Sequence, residues 1–131
     1  YSDKVSLTYK HFPLTNIHFF AFDAAVAAEC ANDQGKFWEF VDKAFENQQA
    51  LQKKNLKQYA ADLQLDTEKF NACLASKTKD KYIRAEINEG IGKAVQGTPT
   101  FFINGKPVEV KQGQYWYDVL KAALDTALGE K

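Results

Sequence analysis

The sequence has no methionine, no excess of either charge and no long apolar run. Its 17 basic and 17 acidic residues cancel to a net charge of zero at pH 7, so no electrostatic surface for nucleic acid or anionic lipid is indicated. The uncharged stretch from Phe12 to Phe22 contains Pro13 and Asn16 and is well short of the roughly 20 apolar residues that span a bilayer. The composition therefore argues against nucleic-acid partners and membrane-spanning helices.

Cysteine and histidine are equally scarce. Cys30 and Cys73 are the two cysteines, and their separation excludes a Cys-x-x-Cys motif between them. His11 and His18 are the two histidines, and neither stands at zinc-ligand spacing from a cysteine. We therefore predict no metal site and no resident cofactor, and we expect both histidines in loops or at the surface. No catalytic residue is predicted within this chain.

The length and composition of the chain predict one domain over residues 1–131. Hydrophobic residues make up 45% of the sequence, which is enough apolar surface for a core. Alternation over Val5–Tyr9 predicts a strand. Apolar residues at helical spacing then predict a long helical middle. The predicted helices run from about Phe19 to near Gly35, over Phe37–Phe45, over Lys53–Leu63, from the N-cap Asp66 through Leu74, and from Thr78 to before Gly97.

The period of the pattern returns to two after Gly97. Thr100–Ile103 predicts a strand, Asn104-Gly105 a tight hairpin, and Lys106–Val110 the returning strand. A last helix is predicted from Trp116 to Ala127. The order of elements indicates an α/β fold, although a sheet of three strands is small for this chain.

Four segments together resemble the DsbA-like branch of the thioredoxin superfamily, and they stand in the order that the family has. They are Tyr9-Lys10-His11-Phe12-Pro13-Leu14, Ala27–Ala31 with Gln34–Glu39, Phe70–Leu74, and Gly97-Thr98-Pro99-Thr100-Phe101-Phe102-Ile103-Asn104-Gly105-Lys106. Each motif alone is common, but their joint occurrence is specific.

The resemblance implies a thioredoxin-like fold with a helical insert over residues 15–95, followed by the strand–hairpin–helix part of the core over residues 96–131. In the family, a strand and an active-site helix that carries Cys-x-x-Cys precede the segment that resembles Val5–Leu14. We expect that this first strand and the active-site helix are missing from the given chain and that the complete parent protein carries them upstream.

Thr98 and Pro99 are the predicted substrate-binding residues. The resemblance implies a cis peptide bond between them, a position beside the active-site disulfide, and pairing of the Thr98 backbone with an extended substrate peptide. Without the resemblance, an ordinary trans proline leading into a strand is the expected reading, since only about 5–6% of X-Pro bonds in folded proteins are cis.

Cys30 and Cys73 each fall on the apolar face of a predicted helix. A structural disulfide that ties the helical region together is the favoured interpretation, and two buried free thiols or a working redox pair are the alternatives.

For the complete parent protein, the resemblance implies a thiol–disulfide oxidoreductase of exported proteins in a bacterial periplasm or at the cell surface. Its partners would be unfolded or partly folded proteins and peptides with thiols, and a membrane or soluble partner that recycles its redox state. Composition offers Phe12, Phe19, Phe20 and Trp38 as candidates for a substrate groove, although aromatic residues are more often core. The alternative is a thioredoxin-like peptide-binding or structural module without the dithiol.

Overall fold

The computed structural model describes Tyr1 and residues 3–129, which contain six α-helices and one pair of β-strands. The elements are α1 (Ala21–Asn32), α2 (Phe37–Glu46), α3 (Lys53–Asp62), α4 (Thr67–Ser76), α5 (Asp80–Gly92), β1 (Phe101–Ile103), β2 (Lys106–Val108) and α6 (Trp116–Ala127). They fall into two compact units. The helical unit, Lys10–Ala94, holds α1 to α5, and the hairpin unit, Tyr1–Tyr9 with Val95–Lys131, holds β1, β2 and α6.

Helix α1 is the centre of the helical unit and contacts each of the other four helices there. Every residue from Ala25 to Ala31 is buried, because the alanines of this stretch let neighbouring helices approach from several sides. The sequence pattern predicted one apolar face, whereas the structure buries the helix all round over these residues. Glu29 is the one charged residue of the buried stretch.

Aromatic side chains fill the space between α2, α3 and α4. Phe40 and Phe70 are fully buried with ring centroids 5.7 Å apart, and Tyr59 meets Phe40 edge-on at 6.4 Å. The Tyr59 hydroxyl donates to the Ala50 carbonyl at 2.6 Å, which satisfies the polar end of a largely buried ring. The predicted aromatic core of the helical region is therefore present.

The start of α4 is fixed by local side-chain bonds. Asp66 is its N-cap, and Oδ1 accepts from the Lys69 backbone N–H at 3.1 Å, as the sequence predicted. The Gln34 side chain also pairs with the Asp66 backbone, donating to its carbonyl at 3.1 Å and accepting from its N–H at 2.8 Å. These bonds tie α4 to the turn that follows α1.

The hairpin unit is built on a short antiparallel pair in which Phe101 faces Val108 and Ile103 faces Lys106. Asn104 and Gly105 both have positive φ, at 51° and 81°, as the two-residue turn predicted from the sequence requires. Helix α6 contacts both strands, but none of its described residues is buried.

Three sequence predictions need correction. Val5–Tyr9 is not part of a strand, so the described sheet has two strands rather than three; alternation favours extended backbone, but a strand forms only with a partner. The returning strand ends at Val108 rather than Val110. Helix α5 begins at Asp80 rather than Thr78, whose hydroxyl instead bonds the Ser76 hydroxyl at 3.0 Å.

The compact helical unit begins at Lys10 and ends at Ala94, while the predicted insert spans 15–95, and its role as an insert stays a prediction. No helix within Tyr1 and residues 3–129 combines the length and the apolar character that crossing a membrane requires.

Candidate functional site

The Gly97–Thr100 loop leads directly into β1. The peptide bond between Thr98 and Pro99 is cis, and the Thr100 hydroxyl donates to the Gly97 carbonyl at 2.6 Å across the loop. Thr98 and Pro99 are both exposed. Thr98 and Pro99 are therefore at the surface, and the conformation of the loop is supported by a bond between its first and last residues.

Aromatic side chains lie beside the hairpin. Phe101, the first residue of β1, stacks on Trp116 of α6 with ring centroids 5.9 Å apart and planes 15° from parallel. Tyr115 and Tyr117 flank Trp116 at the start of α6, and all three aromatic side chains are exposed. Val110 is also exposed. The hairpin unit thus presents apolar surface close to the strand that follows Thr98 and Pro99.

The structure joins Cys30 and Cys73 in a disulfide, with a Cα–Cα distance of 5.8 Å. The bond links α1 to α4, within the helical unit. Cys30 is 1% exposed, whereas Cys73 is only partly buried. The Asp33 carboxylate lies 3.9 Å from the Cys73 sulfur and 2.8 Å from the Lys79 ammonium.

A buried polar cluster, formed by His11, Glu29 and Glu86, lies in the helical unit. His11 is 4% exposed, and its Nε2 lies 2.8 Å from Glu29 Oε1. The backbone N–H of His11 donates to Glu86 Oε1 at 3.0 Å. Asn32 Nδ2 adds a 3.4 Å bond to the other Glu29 oxygen. His11 lies in a loop, as predicted, but it is buried rather than at the surface, and these bonds compensate its burial.

Lys10 extends this cluster to the surface. Its ammonium lies 3.4 Å from Glu86 Oε2 and 3.3 Å from Glu89 Oε2, and the hydrogen bond with Glu89 raises the pKa of Lys10. Burial is the main cause of the raised pKa of Tyr82, and the negative charges of Glu86 and Glu29 raise this pKa further. One histidine and two glutamates are thus held in fixed positions between α1 and α5.

Sequence reasoning missed this cluster. A lone histidine in a segment without regular periodicity carries no sign of burial, and Glu29 looked like one polar residue on an apolar helix. The available signal was Glu29 itself, because a carboxylate within a buried alanine-rich stretch needs a partner. Nothing in the sequence identified that partner as His11.

The four groove candidates lie in the helical unit, in different surroundings. Phe19 is 84% exposed, and Phe20 and Trp38 are also exposed, while Phe12 is half-buried. The expectation that these residues belong to the core is therefore wrong for three of them. His18 is exposed, as predicted.

Within Tyr1 and residues 3–129, no three histidine, cysteine, aspartate or glutamate side chains are grouped so that they could hold a metal ion. Both cysteines are bonded to each other, so neither offers a thiolate. The features that the described residues offer are therefore the two exposed residues Thr98 and Pro99, a disulfide, and the buried His11 cluster.

Comparison with known families gives the context for this arrangement. A family model described as Thioredoxin matches residues 1–126, which include the Gly97–Thr100 loop, the hairpin and nearly all of α6. The chain belongs to the thioredoxin family. It is a thioredoxin-like domain in which helices predominate and the described sheet is a small pair of strands.

Similar curated proteins are named as Na(+)/H(+) antiporters rather than as thioredoxins. The chain is 37% identical over 123 residues to a protein of Salinispora arenicola (strain CNS-205) named Na(+)/H(+) antiporter NhaA 1, covering 94% of this chain and 18% of that protein. It is 35% identical over 104 residues to Na(+)/H(+) antiporter NhaA of Herminiimonas arsenicoxydans, covering 79% of this chain and 16% of that protein. The chain therefore spans less than a fifth of these relatives. No solved structure matches it.

Proposed function

We propose that this chain is the substrate-docking part of a DsbA-type thiol–disulfide oxidoreductase, whose catalytic Cys-x-x-Cys lies elsewhere in the complete protein. The observation that carries the proposal is the exposure of Thr98 and Pro99 in the loop directly before β1, in a chain of the thioredoxin family. An extended substrate peptide would add to the backbone at Thr98 as a further strand. Its thiol would then meet the dithiol supplied by the rest of the protein.

The openness of the hairpin unit supports this proposal. None of its described residues is buried, and a two-stranded hairpin is marginally stable by itself in water. Further strands and an active-site helix in the complete protein would cover this apolar surface. Residues 96–131 would then complete a thioredoxin core, and the helices of residues 15–95 would be an insert in it.

The proposed reaction is thiol–disulfide exchange, in which a substrate thiolate attacks the disulfide form of the dithiol and is carried through a mixed disulfide. Unfolded or partly folded proteins with thiols are the proposed substrates, and a separate redox partner would restore the oxidised state. The Cys30–Cys73 disulfide supports a place outside the cytoplasm, since disulfides persist in oxidising compartments.

A non-catalytic module is the second candidate. Both cysteines are used in one disulfide, and the curated relatives are named for Na(+)/H(+) antiport rather than for thiol chemistry. On this alternative the domain is a peptide-binding or structural part of a longer protein, and the Thr98 backbone holds a segment of that protein or of a partner.

The deciding experiment compares the complete parent protein with this chain in the oxidation of a reduced, unfolded protein. We expect the complete protein to restore disulfides catalytically, a variant with both Cys-x-x-Cys residues changed to serine to be inactive, and this chain alone to be inactive. A parent gene that encodes no Cys-x-x-Cys in its thioredoxin-like region would exclude the enzyme and leave the module.

Docking at the loop is tested on this chain directly. Titration of the isotopically labelled chain with an unstructured peptide should shift the amide resonances of Thr98 and Thr100, while those of Lys53–Asp62 in α3 serve as the internal control. Shifts spread equally over both regions, or absent from the loop, would contradict a docking role for Thr98 and Pro99.

A further inference from the structure

The two cysteines of the disulfide are unequally buried. Cys30 lies within the core at 1% exposure, whereas Cys73 of α4 is only partly buried. Reduction by a thiol requires a thiolate to reach one of the sulfurs and displace the other. An attacking thiolate therefore reaches the Cys73 sulfur, and Cys30 is the group that leaves.

A carboxylate stands beside the accessible sulfur. Asp33 Oδ2 is 3.9 Å from Cys73 Sγ, and Asp33 Oδ1 is 2.8 Å from Lys79 Nζ. Asp33 directly follows α1, and Lys79 directly precedes α5. Because the ion pair joins the ends of two helices that both pack in the helical unit, the carboxylate is held close to the sulfur.

We propose that Asp33 shields the Cys30–Cys73 disulfide from reduction by anionic thiolates. A thiolate that attacks Cys73 Sγ brings its negative charge close to the Asp33 carboxylate, which lies 3.9 Å from that sulfur. The two negative charges repel each other. Lys79 offsets part of that field, while its bond fixes the carboxylate in place. The shield depends on charge, and it stands whether or not the complete protein is an oxidoreductase.

The reaction that is slowed has a simple balance. A thiolate RS⁻ attacks Cys73 Sγ, the Cys30–Cys73 bond breaks, and a mixed disulfide RS–S forms on Cys73 while the Cys30 thiolate takes up a proton. A second thiolate then attacks the mixed disulfide and releases RS–SR and the Cys73 thiol. The two cysteines are reduced and two molecules of the external thiol are oxidised. The shield acts on the first attack.

The size of the effect follows from the position of Asp33 at the surface. Its side chain is 53% exposed, so water and salt screen its charge. Repulsion between two unit charges about 4 Å apart in such a setting corresponds to a rate change of about fivefold. The effect should therefore be clear at low ionic strength and small at about 1 M salt.

The test measures the rate at which the full chain loses its disulfide under excess thiol, by alkylation and mass spectrometry, with each rate normalised to the thiolate concentration. Three thiols of similar size differ in charge: cysteamine carries an ammonium group, 2-mercaptoethanol has a neutral hydroxyl, and 2-mercaptoethanesulfonate carries a sulfonate. Each rate is also divided by the rate of the same thiol with a small neutral disulfide, because thiolate nucleophilicity varies with thiol pKa. The expected order of these relative rates for the natural chain is cysteamine, then mercaptoethanol, then the sulfonate.

Asp33→Asn should raise the sulfonate rate about fivefold at low salt and abolish the advantage of cysteamine over the sulfonate, because the Lys79 ammonium remains beside the disulfide. Asp33→Glu, which keeps the charge, is the matched control and should retain the order. The proposal would be overturned if thiol charge had no influence on the rate for the natural chain.

An uncharged reductant separates charge from access. Tris(3-hydroxypropyl)phosphine is neutral, so it should reduce the natural chain and Asp33→Asn at equal rates. If Asp33→Asn accelerates the phosphine as much as the sulfonate, the substitution has opened the structure around Cys73 and the electrostatic shield is wrong. The same conclusion follows if 1 M salt leaves the effect of Asp33→Asn undiminished.

Discussion

His11 and Glu29 show what a single buried contact requires of its surroundings. Both residues are buried, their side chains meet at 2.8 Å, and the second carboxylate, Glu86, is bound by the His11 backbone. Among the described residues, no buried side-chain nitrogen or oxygen lacks a hydrogen-bond partner. Removing one partner of a buried pair lowers the free energy of unfolding by more than the net contribution of the hydrogen bond, because the remaining carboxylate stays buried without that partner.

His11→Phe should therefore lower the free energy of unfolding by roughly 3 kcal/mol, as measured by urea denaturation. The phenyl ring is slightly larger than the imidazole and leaves no cavity, so the loss expected from the missing hydrogen bond is one of polar compensation. His18→Ala, at the exposed histidine, is the control and should change the free energy by less than about 0.5 kcal/mol.

The Glu29→Gln background tests the cause. There the carboxylate charge is gone, so His11→Phe should cost at least about 1 kcal/mol less than in the natural chain. An equal cost in both backgrounds would mean that His11 stabilises the protein by packing alone.

The ion pairs of Glu89 predict a dependence of stability on acid. The hydrogen bond with Lys93 is the main cause that holds the pKa of Glu89 below its usual value of 4.5, and the hydrogen bond with Lys10 is the next largest. A carboxyl group whose pKa is lower in the folded state stabilises the protein above its unfolded pKa, and this contribution is lost as the pH falls through the folded pKa.

In thermal denaturation at low salt, Glu89→Gln should therefore unfold at a lower temperature than the natural chain at pH 7, and the difference should close as the pH falls below about 4.5. Glu68→Gln, at another exposed glutamate, serves for comparison. A difference that stays constant down to pH 2 would show that the contribution of Glu89 does not depend on its charge.

At the scale of elements, α4 is a helix whose start is encoded locally. The Asp66 side chain accepts from the Lys69 N–H, while the bonds to Gln34 use the Asp66 backbone and survive a change of side chain. Asp66→Ala should therefore cost about 1 kcal/mol in urea denaturation, and Asp66→Asn, which can still cap, should cost only a few tenths. Equal losses for the two variants would argue against capping as the cause.

The same scale shows where sequence prediction succeeded and failed. The cap of α4 and the Asn104-Gly105 turn were predictable because their bonds join residues a few positions apart. Val5–Tyr9 has the alternation of a strand but is not paired into one, because alternation carries no information about a partner. The all-round burial of α1 also depends on distant helices, so its pattern looked one-sided.

At the scale of the whole molecule, buried surface is unevenly distributed. The hydrophobic core lies entirely within the helical unit, and the described part of the hairpin unit has no buried residue. Apolar burial is the main source of stability, so the two units should differ in how readily they open.

Hydrogen exchange under native conditions should therefore find faster exchange in the hairpin unit. Hydrogen-bonded amides of Trp116–Ala127 in α6 should exchange through openings of lower free energy than those of the equally long Ala21–Asn32 in α1. Equal protection in the two helices would mean that the hairpin unit draws stability from something other than its own buried surface.

The sequence by itself determined the helical middle, the final hairpin and helix, and the resemblance that pointed to the family, because periodicity, turn residues and short motifs are local properties. The tertiary structure decided that Val5–Tyr9 is not part of the described sheet, that His11 lies beside Glu29, and that the Asp33 carboxylate lies 3.9 Å from the Cys73 sulfur. Each of these depends on which distant segments meet. Such meetings follow from the packing of helices around α1, and local periodicity does not encode that packing.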